Sequence, residues 1–288
     1  MVVLVTGANG QLGQALQYIA GNYPAIDFVF CSSSELDITS SASCESVFEK
    51  YQPKFCINAG AYTAVDKAEA EHDKAYAVNV LGAKNIAECC KKYQTVLLHI
   101  STDFVFDGEI TTPYSEDDIP NPTGVYGQTK LEGEKIIQTI LQHFFIIRTS
   151  WVYSQFGNNF MKTMLRLASD RDTLSVVNDQ IGTPTNAVDL AEALVGMIIF
   201  CDAKPVGRVL YGIYNFSNEG QCSWFDFAKK IFEVNKVAIN LNPISTSNYP
   251  TPAKRPKYSV LDKTKIKNTF GLDIKRWEEA LDPFPSAE

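Results

Sequence analysis

The feature that most constrains this chain is a short apolar run that leads directly into a glycine-rich turn and then into a helical pattern. Residues 2–5 are Val-Val-Leu-Val, which is too short for a helix and is typical of a buried parallel strand. Glycines follow at positions 7, 10 and 13, and Leu16 and Ile19 continue with helical spacing. Strand, glycine turn and helix in this order predict the first unit of a parallel α/β sheet.

The turn itself, residues 6–13, has the composition that a pyrophosphate group requires. Glycines allow a tight turn and a close approach of the backbone, and the helix that follows offers free N–H groups and the positive end of its dipole. The sequence therefore predicts a dinucleotide cofactor at this turn. The predicted contacts are Gly7, Gly10, Gln11, Leu12 and Gly13.

Strand and helix patterns alternate along the first half of the chain, which predicts a parallel sheet with right-handed crossovers. The predicted strands are 26–31, 55–58, 96–100 and 144–148, and the predicted helices are 41–51, 66–93 with a break, and 126–141. We therefore predict an α/β chain with a Rossmann-type, doubly wound parallel sheet as its NAD(P)-binding domain in residues 1–150. Residues 174–217 are expected to return to this sheet.

The pattern changes after residue 150, where we predict a smaller α+β substrate-binding region from residues 151–173 and 218–288. Ser223 before an apolar run predicts the N-cap of a helix. Residues 243–256 contain four prolines and are predicted to be irregular, as a connector or as a cover for the substrate. The other predicted elements are helices at 159–169 and 188–200 and strands at 174–177 and 213–216.

Tyr126 and Lys130 are the main candidates for catalysis. They are four residues apart on a predicted helix, so both side chains lie on the same face. An ammonium beside a phenol lowers the pKa of the phenol, which would let Tyr126 exchange a proton with a substrate oxygen.

Three candidate segments lie at the carboxyl ends of predicted strands, namely residues 7–13, 58–63 and 101–103. Ligands of open parallel sheets bind beyond these ends, so we expect the three segments to converge on one site.

Composition excludes several classes of partner. The chain has 26 Lys and Arg residues and 33 Asp and Glu residues, which gives a net charge of −7. This acidic balance argues against nucleic acid as a partner. No apolar stretch approaches the roughly 18 residues that span a bilayer, so no membrane partner is expected. The seven cysteines are odd in number and lack the spacing of metal ligands, which predicts a reducing, cytoplasmic setting.

Motifs distributed over nearly the whole chain resemble those of the dTDP-4-dehydrorhamnose reductase family, within the extended short-chain dehydrogenases/reductases. The Tyr126–Lys130 pair occurs throughout that superfamily, whereas Arg-Thr-Ser-Trp-Val-Tyr and Asp-Gln-Ile-Gly-Thr-Pro-Thr are specific to the family. The matching segments are residues 7–13, 61–69, 101–108, 126–134, 148–153, 158–166, 179–185, 223–224 and 255–256.

The resemblance implies reduction of the C4 ketone of dTDP-4-dehydro-L-rhamnose to dTDP-L-rhamnose, with hydride from a nicotinamide. It implies that Tyr126 donates the proton, that Lys130 stabilises the phenolate and binds the ribose, and that Thr102 bonds the same substrate oxygen. It further implies substrate contacts from Thr102, Asp103 and Trp151, and cofactor contacts from Asp37, Ile38, Ala61, Tyr62, Thr63, Tyr126 and Lys130.

Two departures from the family pattern affect these expectations. Family members usually have tyrosine where this chain has Phe104, which removes one hydroxyl from the sugar subsite. In some members an acidic residue just after the glycine turn is associated with magnesium. This chain has Gln14-Ala15 there, so no metal is expected.

The second predicted strand bears on the choice of cofactor. It ends in Cys-Ser-Ser-Ser at 31–34, without an acid for a ribose 2′-hydroxyl, which favours NADPH and leaves NADH open.

Three alternatives stay open at this point. One is a dehydratase or epimerase on the same scaffold, although a dehydratase needs a glutamate where this chain has Phe104. Another is a non-catalytic regulatory subunit of the methionine adenosyltransferase beta type. The third is a reductase for another nucleotide-linked 4-ketosugar. The sequence leaves the oligomeric state open, with a homodimer among the options.

Overall fold

The computed structural model describes residues 1–204 and 210–281. Its largest sheet has six strands, all parallel, in the order β2-β1-β3-β4-β5-β10. The strands are β1 Val2–Thr6, β2 Asp27–Cys31, β3 Phe55–Asn58, β4 Val96–Thr102, β5 Phe144–Thr149, β6 Val152–Tyr153, β7 Thr173–Val177, β8 Ile181–Gly182, β9 Thr185–Asn186, β10 Gly212–Asn215, β11 Cys222–Ser223 and β12 Asn240–Ile244.

Helices cover both faces of this sheet. The α-helices are α1 Gln11–Ala20, α2 Ser41–Tyr51, α3 Val65–Ala68, α4 His72–Tyr76, α5 Ala83–Tyr93, α6 Val125–Ile140, α7 Phe160–Asp170, α8 Ala187–Asp202, α9 Trp224–Val234, α10 Thr264–Phe270 and α11 Trp277–Ala280. Short 3₁₀ turns occur at Asp103–Val105 and Thr246–Asn248, and a π-helical segment at Ala77–Gly82.

Successive residues of each strand point to opposite faces of the sheet, and helices cover both faces, which explains why the central strands are mostly apolar. Val5 and Ile57 belong to the core formed with α1 and α8, and Leu4 and Cys56 to the core formed with α2, α5 and α6. All four side chains are completely buried. The predicted doubly wound α/β fold is confirmed.

The strand order reverses between β1 and β3, and this reversal determines where a ligand can enter. Helices that follow neighbouring strands lie on opposite faces there, which leaves a crevice beyond the carboxyl ends. Thr6 and Asn58, the last residues of the two strands, are directly paired in register. No helix within the described ranges is long and apolar enough to cross a bilayer.

A smaller layer packs beside these carboxyl ends. The strands β7 and β12 pair in parallel, and α7 and α9 pack against them through an apolar core. Ser223 caps α9 as predicted, since its hydroxyl accepts a hydrogen bond from the Asp226 amide at 3.0 Å. Residues 282–288 of the predicted substrate-binding region lie outside the described residues.

The prediction that residues 243–256 are irregular is wrong at their start. Pro243 lies inside β12, where it pairs in register with Val176 of β7. β12 has only one neighbouring strand, so one edge of it needs no hydrogen-bond donors, and proline is tolerated on such an edge.

The predicted long helix 66–93 is interrupted, as its break indicated. α3 and α4 are short, and the π-helical segment Ala77–Gly82 joins α4 to α5. Two close approaches accompany the π-helical segment: a Cβ on Gly82 would come within 2.8 Å of Ile38, and one on Gly133 of α6 within 2.3 Å of the Asn79 carbonyl oxygen. π-helical turns are rare and occur mostly at functional sites.

Candidate active site

A cleft of about 660 Å³ opens where the carboxyl ends of β1, β3 and β4 meet the smaller layer. The three segments that were predicted to converge all contribute to its walls. The predicted site residues that line it are Gly10, Gln11, Leu12, Gly13, Ala61, Thr63, Thr102, Asp103, Tyr126, Lys130 and Trp151. Those that lie outside its lining are Gly7, Asp37, Ile38 and Tyr62.

The glycine turn is compressed between β3 and α1. Gly7 has a φ of +66°, and a Cβ there would meet the backbone of Ala59 and Gly60 at 2.8 Å. A Cβ on Gly13 would come within 2.4 Å of the Gly7 carbonyl oxygen. The N-cap Gly10 has no side chain, so the first N–H groups of α1 remain without intrahelical or side-chain acceptors. This arrangement fits the pyrophosphate of a dinucleotide.

The side chain of Gln11 connects the glycine turn to the segment after β5. Its amide oxygen accepts hydrogen bonds from Ser154 Oγ at 3.0 Å and Asn159 Nδ2 at 2.9 Å, and its amide nitrogen donates to the Val152 carbonyl at 3.3 Å. No sequence pattern indicated this link, because its partners lie more than a hundred residues away along the chain.

Three predicted cofactor residues, Asp37, Ile38 and Tyr62, lie outside the lining of the cleft. Asp37 Oδ1 accepts hydrogen bonds from the backbone and hydroxyl of Thr39, at 2.9 and 2.7 Å. Ile38 is buried beside Gly82, and the Tyr62 hydroxyl donates to Glu71 at 3.1 Å. These contacts are made within the protein, so the roles of the three residues in cofactor binding stay predictions.

Asn79, in the π-helical segment, was missed by the sequence analysis. Its Oδ1 accepts from the Tyr62 amide at 2.9 Å, and its Nδ2 donates to the Tyr62 carbonyl at 3.2 Å and to Thr129 Oγ1 at 3.1 Å. Asn79 therefore holds the loop 61–63 against α6. It carried no signal in the sequence because it lies within a stretch with an ordinary helical pattern.

Residues 31–34 at the end of β2 contain no acid, as the sequence shows, but Glu35 follows directly in the turn after the strand. Glu35 folds back so that its carboxylate accepts hydrogen bonds from the Ser32 amide at 2.8 Å and the Ser32 hydroxyl at 2.7 Å. These bonds hold the pKa of Glu35 below its ordinary value. The carboxylate is thus engaged by the turn that follows β2.

Thr102, Asp103 and Tyr126 form the polar centre of the cleft. Thr102 Oγ1 donates to Asp103 Oδ1 at 3.0 Å and accepts from the Phe104 amide at 3.2 Å. The ring of Phe104 meets the ring of Tyr126 edge-on, with centroids 5.6 Å apart. β4 and the 3₁₀ turn after it therefore bring together the Thr102 hydroxyl, the Asp103 carboxyl group and the Phe104 ring that packs against the phenol of Tyr126.

The prediction that Lys130 lowers the pKa of Tyr126 is wrong for this structure. Burial raises the pKa of the phenol to about 12, the Asp103 charge adds to the rise, and the Thr102 hydroxyl opposes it. Lys130 Nζ instead donates to the Ile100 carbonyl at 2.6 Å. Tyr126 is therefore fully protonated at neutral pH, which is the state that a proton donor requires.

Asp103 is a buried carboxyl group with one unsatisfied oxygen. Its side chain is 2% exposed, and Oδ2 has no hydrogen-bond partner. Burial raises the pKa of Asp103 to about 6, against the opposing effect of nearby hydroxyls on Ser259 and Thr102. Asp103 lines the cleft, so its carboxyl group lies beside any ligand that binds there.

We expect Asp103→Asn to gain stability relative to the wild type as pH rises. Because the folded pKa of Asp103 lies above its unfolded value, the wild type loses stability as pH rises through about 6. The variant has no such loss, so the difference in free energy of unfolding should grow by about 2 kcal/mol from pH 4 to pH 7. Urea titrations at both pH values measure this difference, and a constant difference would contradict the raised pKa.

A buried ion pair fixes α6 against β4 and β5. Arg148 donates to Glu134 through Nε at 3.0 Å and Nη2 at 2.7 Å, and Ser101 Oγ donates to the same carboxylate. Both charged side chains are at most 2% exposed. Glu134 lies one helical turn after Lys130, so this pair determines the position of the helix that carries Tyr126 and Lys130.

Two stacked aromatic side chains form part of the cleft wall. Trp151 and Trp224 stack with centroids 3.5 Å apart and an interplanar angle of 10°. Trp151 has a φ of +46°, and its ring packs so closely on Gly182 that a Cβ there would come within 2.5 Å. Trp224 appeared in the sequence only as part of a matching segment, and its stacking partner could not be read from it.

Arg255 brings a positive charge to the same cleft. Its Nη2 donates to Asp66 Oδ2 at 2.7 Å, and Asp66 Oδ1 also accepts from the Ala253 amide at 3.2 Å. Asp66 belongs to α3, so this pair connects the proline-rich segment to the helix that follows β3. The sequence marked Arg255 only as part of a matching dipeptide.

A doubly wound sheet with a glycine turn, a Thr-Asp pair and a Tyr-x-x-x-Lys helix around one cleft defines a nucleotide-binding oxidoreductase of the extended short-chain dehydrogenase/reductase type. The family model described as RmlD substrate binding domain matches residues 1–286. The dTDP-4-dehydrorhamnose reductase of Aggregatibacter actinomycetemcomitans is 45% identical over 286 residues, which is 97% of this chain and 96% of that protein. The chain belongs to the dTDP-4-dehydrorhamnose reductase family.

Solved structures agree with this assignment. The dTDP-4-dehydrorhamnose reductase of Bacillus anthracis, determined in complex with NADP, is 41% identical and superimposes with a TM-score of 0.90 over 97% of this chain and 96% of that one. A UDP-glucose 4-epimerase of Thermus thermophilus, determined with NAD, is 18% identical with a TM-score of 0.81 over the full length of both chains. At that identity the likeness shows the shared fold alone.

Proposed function

We propose that this protein reduces the C4 ketone of dTDP-4-dehydro-L-rhamnose to dTDP-L-rhamnose with NADPH. The observation that carries the proposal is the cluster of Thr102, Asp103 and Tyr126 in the same cleft as the glycine turn. The family supports the substrate, and the relative that was crystallised with NADP supports the cofactor.

NADPH, when bound, supplies the hydride, and the side chains of this protein manage the developing charge. Tyr126 is protonated at neutral pH and donates its proton to the substrate oxygen as that oxygen becomes an alkoxide. The Thr102 hydroxyl, which donates to Asp103 in the substrate-free structure, turns its proton to the same substrate oxygen, and this contact strengthens as negative charge develops. Asp103, which lines the same cleft, binds a sugar hydroxyl.

The remaining assignments of the sequence analysis are part of the same proposal. Residues 1–150 bind the cofactor, with Gly7, Gly10, Gln11, Leu12, Gly13, Asp37, Ile38, Ala61, Tyr62 and Thr63 as contacts. The substrate region is formed by residues 151–173 and 218–288, and includes Trp151. All seven cysteines are buried free thiols, which supports a reducing, cytoplasmic setting.

The direct test follows the loss of NADPH absorbance with enzymatically prepared dTDP-4-dehydro-L-rhamnose, beside UDP- and GDP-linked 4-ketosugars. We expect one NADPH consumed for each dTDP-L-rhamnose that chromatography detects. Turnover without net NADPH consumption would indicate an epimerase, and binding without turnover a regulatory subunit. Faster reduction of another ketosugar would reassign the substrate.

Trp151→Ala should weaken the binding of the sugar nucleotide more than that of NADPH. Loss of one aromatic stacking surface is worth about 1.4 kcal/mol, so the KM for the sugar nucleotide should rise about tenfold while the KM for NADPH stays within about twofold. Initial rates with each substrate varied separately measure the two constants. A larger rise in the KM for NADPH would place Trp151 outside the sugar subsite.

A further inference from the structure

A row of four buried polar side chains crosses the large sheet and ends on α6. Thr6, Asn58 and His99 occupy directly registered positions on β1, β3 and β4, and Lys130 of α6 completes the row. The distances are 2.7 Å from Thr6 Oγ1 to Asn58 Oδ1, 3.0 Å from Asn58 Nδ2 to His99 Nδ1 and 3.3 Å from His99 Nε2 to Lys130 Nζ. None of the four is more than 2% exposed.

The hydrogen bonds of this row run in one direction. The Gly60 amide, which can only donate, bonds Thr6 Oγ1 at 3.1 Å, and Thr6 in turn donates to the oxygen of Asn58. If the Asn58 amide were rotated so that its nitrogen faced Thr6, the hydroxyl proton of Thr6 would have no acceptor. The Asn58 nitrogen therefore donates to His99 Nδ1, and the single proton of the neutral imidazole lies on Nε2.

This tautomer places an N–H group beside the amino group of Lys130. An ammonium has three N–H donors and no lone pair, so its contact with the Nε2–H of His99 is unfavourable, whereas an amine can accept that hydrogen bond. Burial and the Lys130 charge hold the pKa of His99 well below its ordinary value, so the ring stays neutral. Burial lowers the pKa of Lys130 to about 8.

Several other titratable groups lie on the elements packed around Lys130. Glu134, on the same helix, raises the pKa of Lys130, but its carboxylate is engaged by Arg148 of β5. Asp103 and Tyr126 lie at the same cleft, and Tyr126 is neutral near pH 7. The π-helical segment has no titratable side chain, and the charged groups of α3, α4 and α5 are exposed or half-buried. α5 adds the buried thiols of Cys89 and Cys90, whose pKa burial raises.

We propose that His99 is a positioning residue that, through a tautomer imposed by Thr6 and Asn58, keeps Lys130 ready to exchange a proton. Tyr126 becomes a phenolate when it gives its proton to the substrate alkoxide. Lys130 lies one helical turn from Tyr126 and lines the same cleft, so its ammonium can supply the replacement proton through intervening water and become an amine, which solvent water then reprotonates. One solvent proton is consumed for each hydride. The kinetic part of this inference rests on the proposed function.

The tautomer can be measured without any substrate. The chain has three histidines, so ¹⁵N-labelled imidazole rings give few signals, and their absence in His99→Gln assigns those of His99. We expect long-range ¹H–¹⁵N spectra to show the Nε2–H tautomer, unchanged from pH 6 to pH 9. In Thr6→Val the Asn58 amide is free to reverse, so the Nδ1–H form of His99 should appear. A wild-type Nδ1–H tautomer, titration of the ring, or an unchanged tautomer in Thr6→Val would overturn the inference.

The kinetic test is the pH dependence of kcat. Wild-type kcat should fall as pH rises above about 8, where Lys130 loses its proton. In Thr6→Val the reversed Asn58 amide leaves a lone pair of His99 Nε2 facing Lys130, which favours the ammonium, so this variant should move the decline up by about one pH unit. The matched control is Thr95→Val, a buried threonine outside the cleft whose hydroxyl donates to the Pro53 carbonyl, which should leave the profile unchanged.

A decline at the same pH in Thr6→Val and the wild type would overturn the inference, because a purely structural row of side chains would affect stability alone. If Thr6→Val does not fold, the wild-type spectra decide: an Nδ1–H tautomer or a titrating His99 ring overturns the inference, and an invariant Nε2–H tautomer supports it. The absence of NADPH oxidation with every ketosugar would overturn the proposed function, while the tautomer measured in the substrate-free protein would be unaffected.

Discussion

Tyr126→Phe is expected to lower kcat by about a hundredfold or more, because a general acid contributes at least this factor to proton transfer. The affinity for NADPH should stay near the wild-type value. The substitution removes only the hydroxyl, so the ring keeps its edge-on contact with Phe104. Stopped-flow absorbance gives kcat, and the fluorescence of bound NADPH gives the affinity.

The matched control removes a hydroxyl from a buried tyrosine outside the cleft. Tyr114 is 3% exposed, and its hydroxyl donates to Asp107 and accepts from the Gly108 amide, both at 2.9 Å. Tyr114→Phe should cost about 1 kcal/mol of stability and change kcat by no more than a few fold. Equal losses of kcat in the two variants would attribute the effect to packing and remove Tyr126 from the chemistry.

Gly127→Ala is expected to have the largest structural effect of any single methyl group near the site. A Cβ on Gly127 would lie 2.1 Å from the carbonyl oxygen of Phe104, and a backbone atom cannot move aside as a flexible side chain can. Either α6 or the turn after β4 must shift, which separates Tyr126 from Thr102. We expect a loss of about 3 kcal/mol in the free energy of unfolding and a loss of about a hundredfold in kcat.

Gly196→Ala is the control, because it adds the same methyl group inside another helix. The nearest atom to a Cβ on Gly196 of α8 is Leu272 Cδ2, at an ordinary contact distance of 3.8 Å. Alanine has a higher helix propensity, so this variant should gain about 0.5–1 kcal/mol in the free energy of unfolding and keep its kcat. Urea unfolding and initial rates measure both quantities, and similar behaviour of the two variants would refute the steric argument.

Much of the fold could be predicted because its signals are local. The strand 55–58 and the helix 41–51 have the predicted bounds, since a continuous apolar run and a helical period are properties of neighbouring residues. The cleft was predicted for a similar reason. The carboxyl ends of parallel strands lie on one side of a sheet, so motifs at the ends of β1, β3 and β4 had to approach each other.

The errors concern properties that depend on distant partners. Pro243 entered a strand because β7, far earlier in the chain, offered it an edge. The phenol of Tyr126 was expected to have a low pKa because Lys130 is close in sequence, but burial and Asp103 act more strongly. The link from Gln11 to Asn159 likewise joins segments that nothing in the sequence connects.

The order of strands and helices, the glycine turn and the pairing of Tyr126 with Lys130 on one helix were determined by the amino-acid sequence alone, because each depends on residues a few positions apart. The tertiary structure decided which protonation states these groups adopt. Burial removes water from Tyr126, Asp103 and Lys130, and the row from Thr6 to His99 forms only when three strands align in register. Desolvation and register are properties of the packed molecule, so no local pattern contains them.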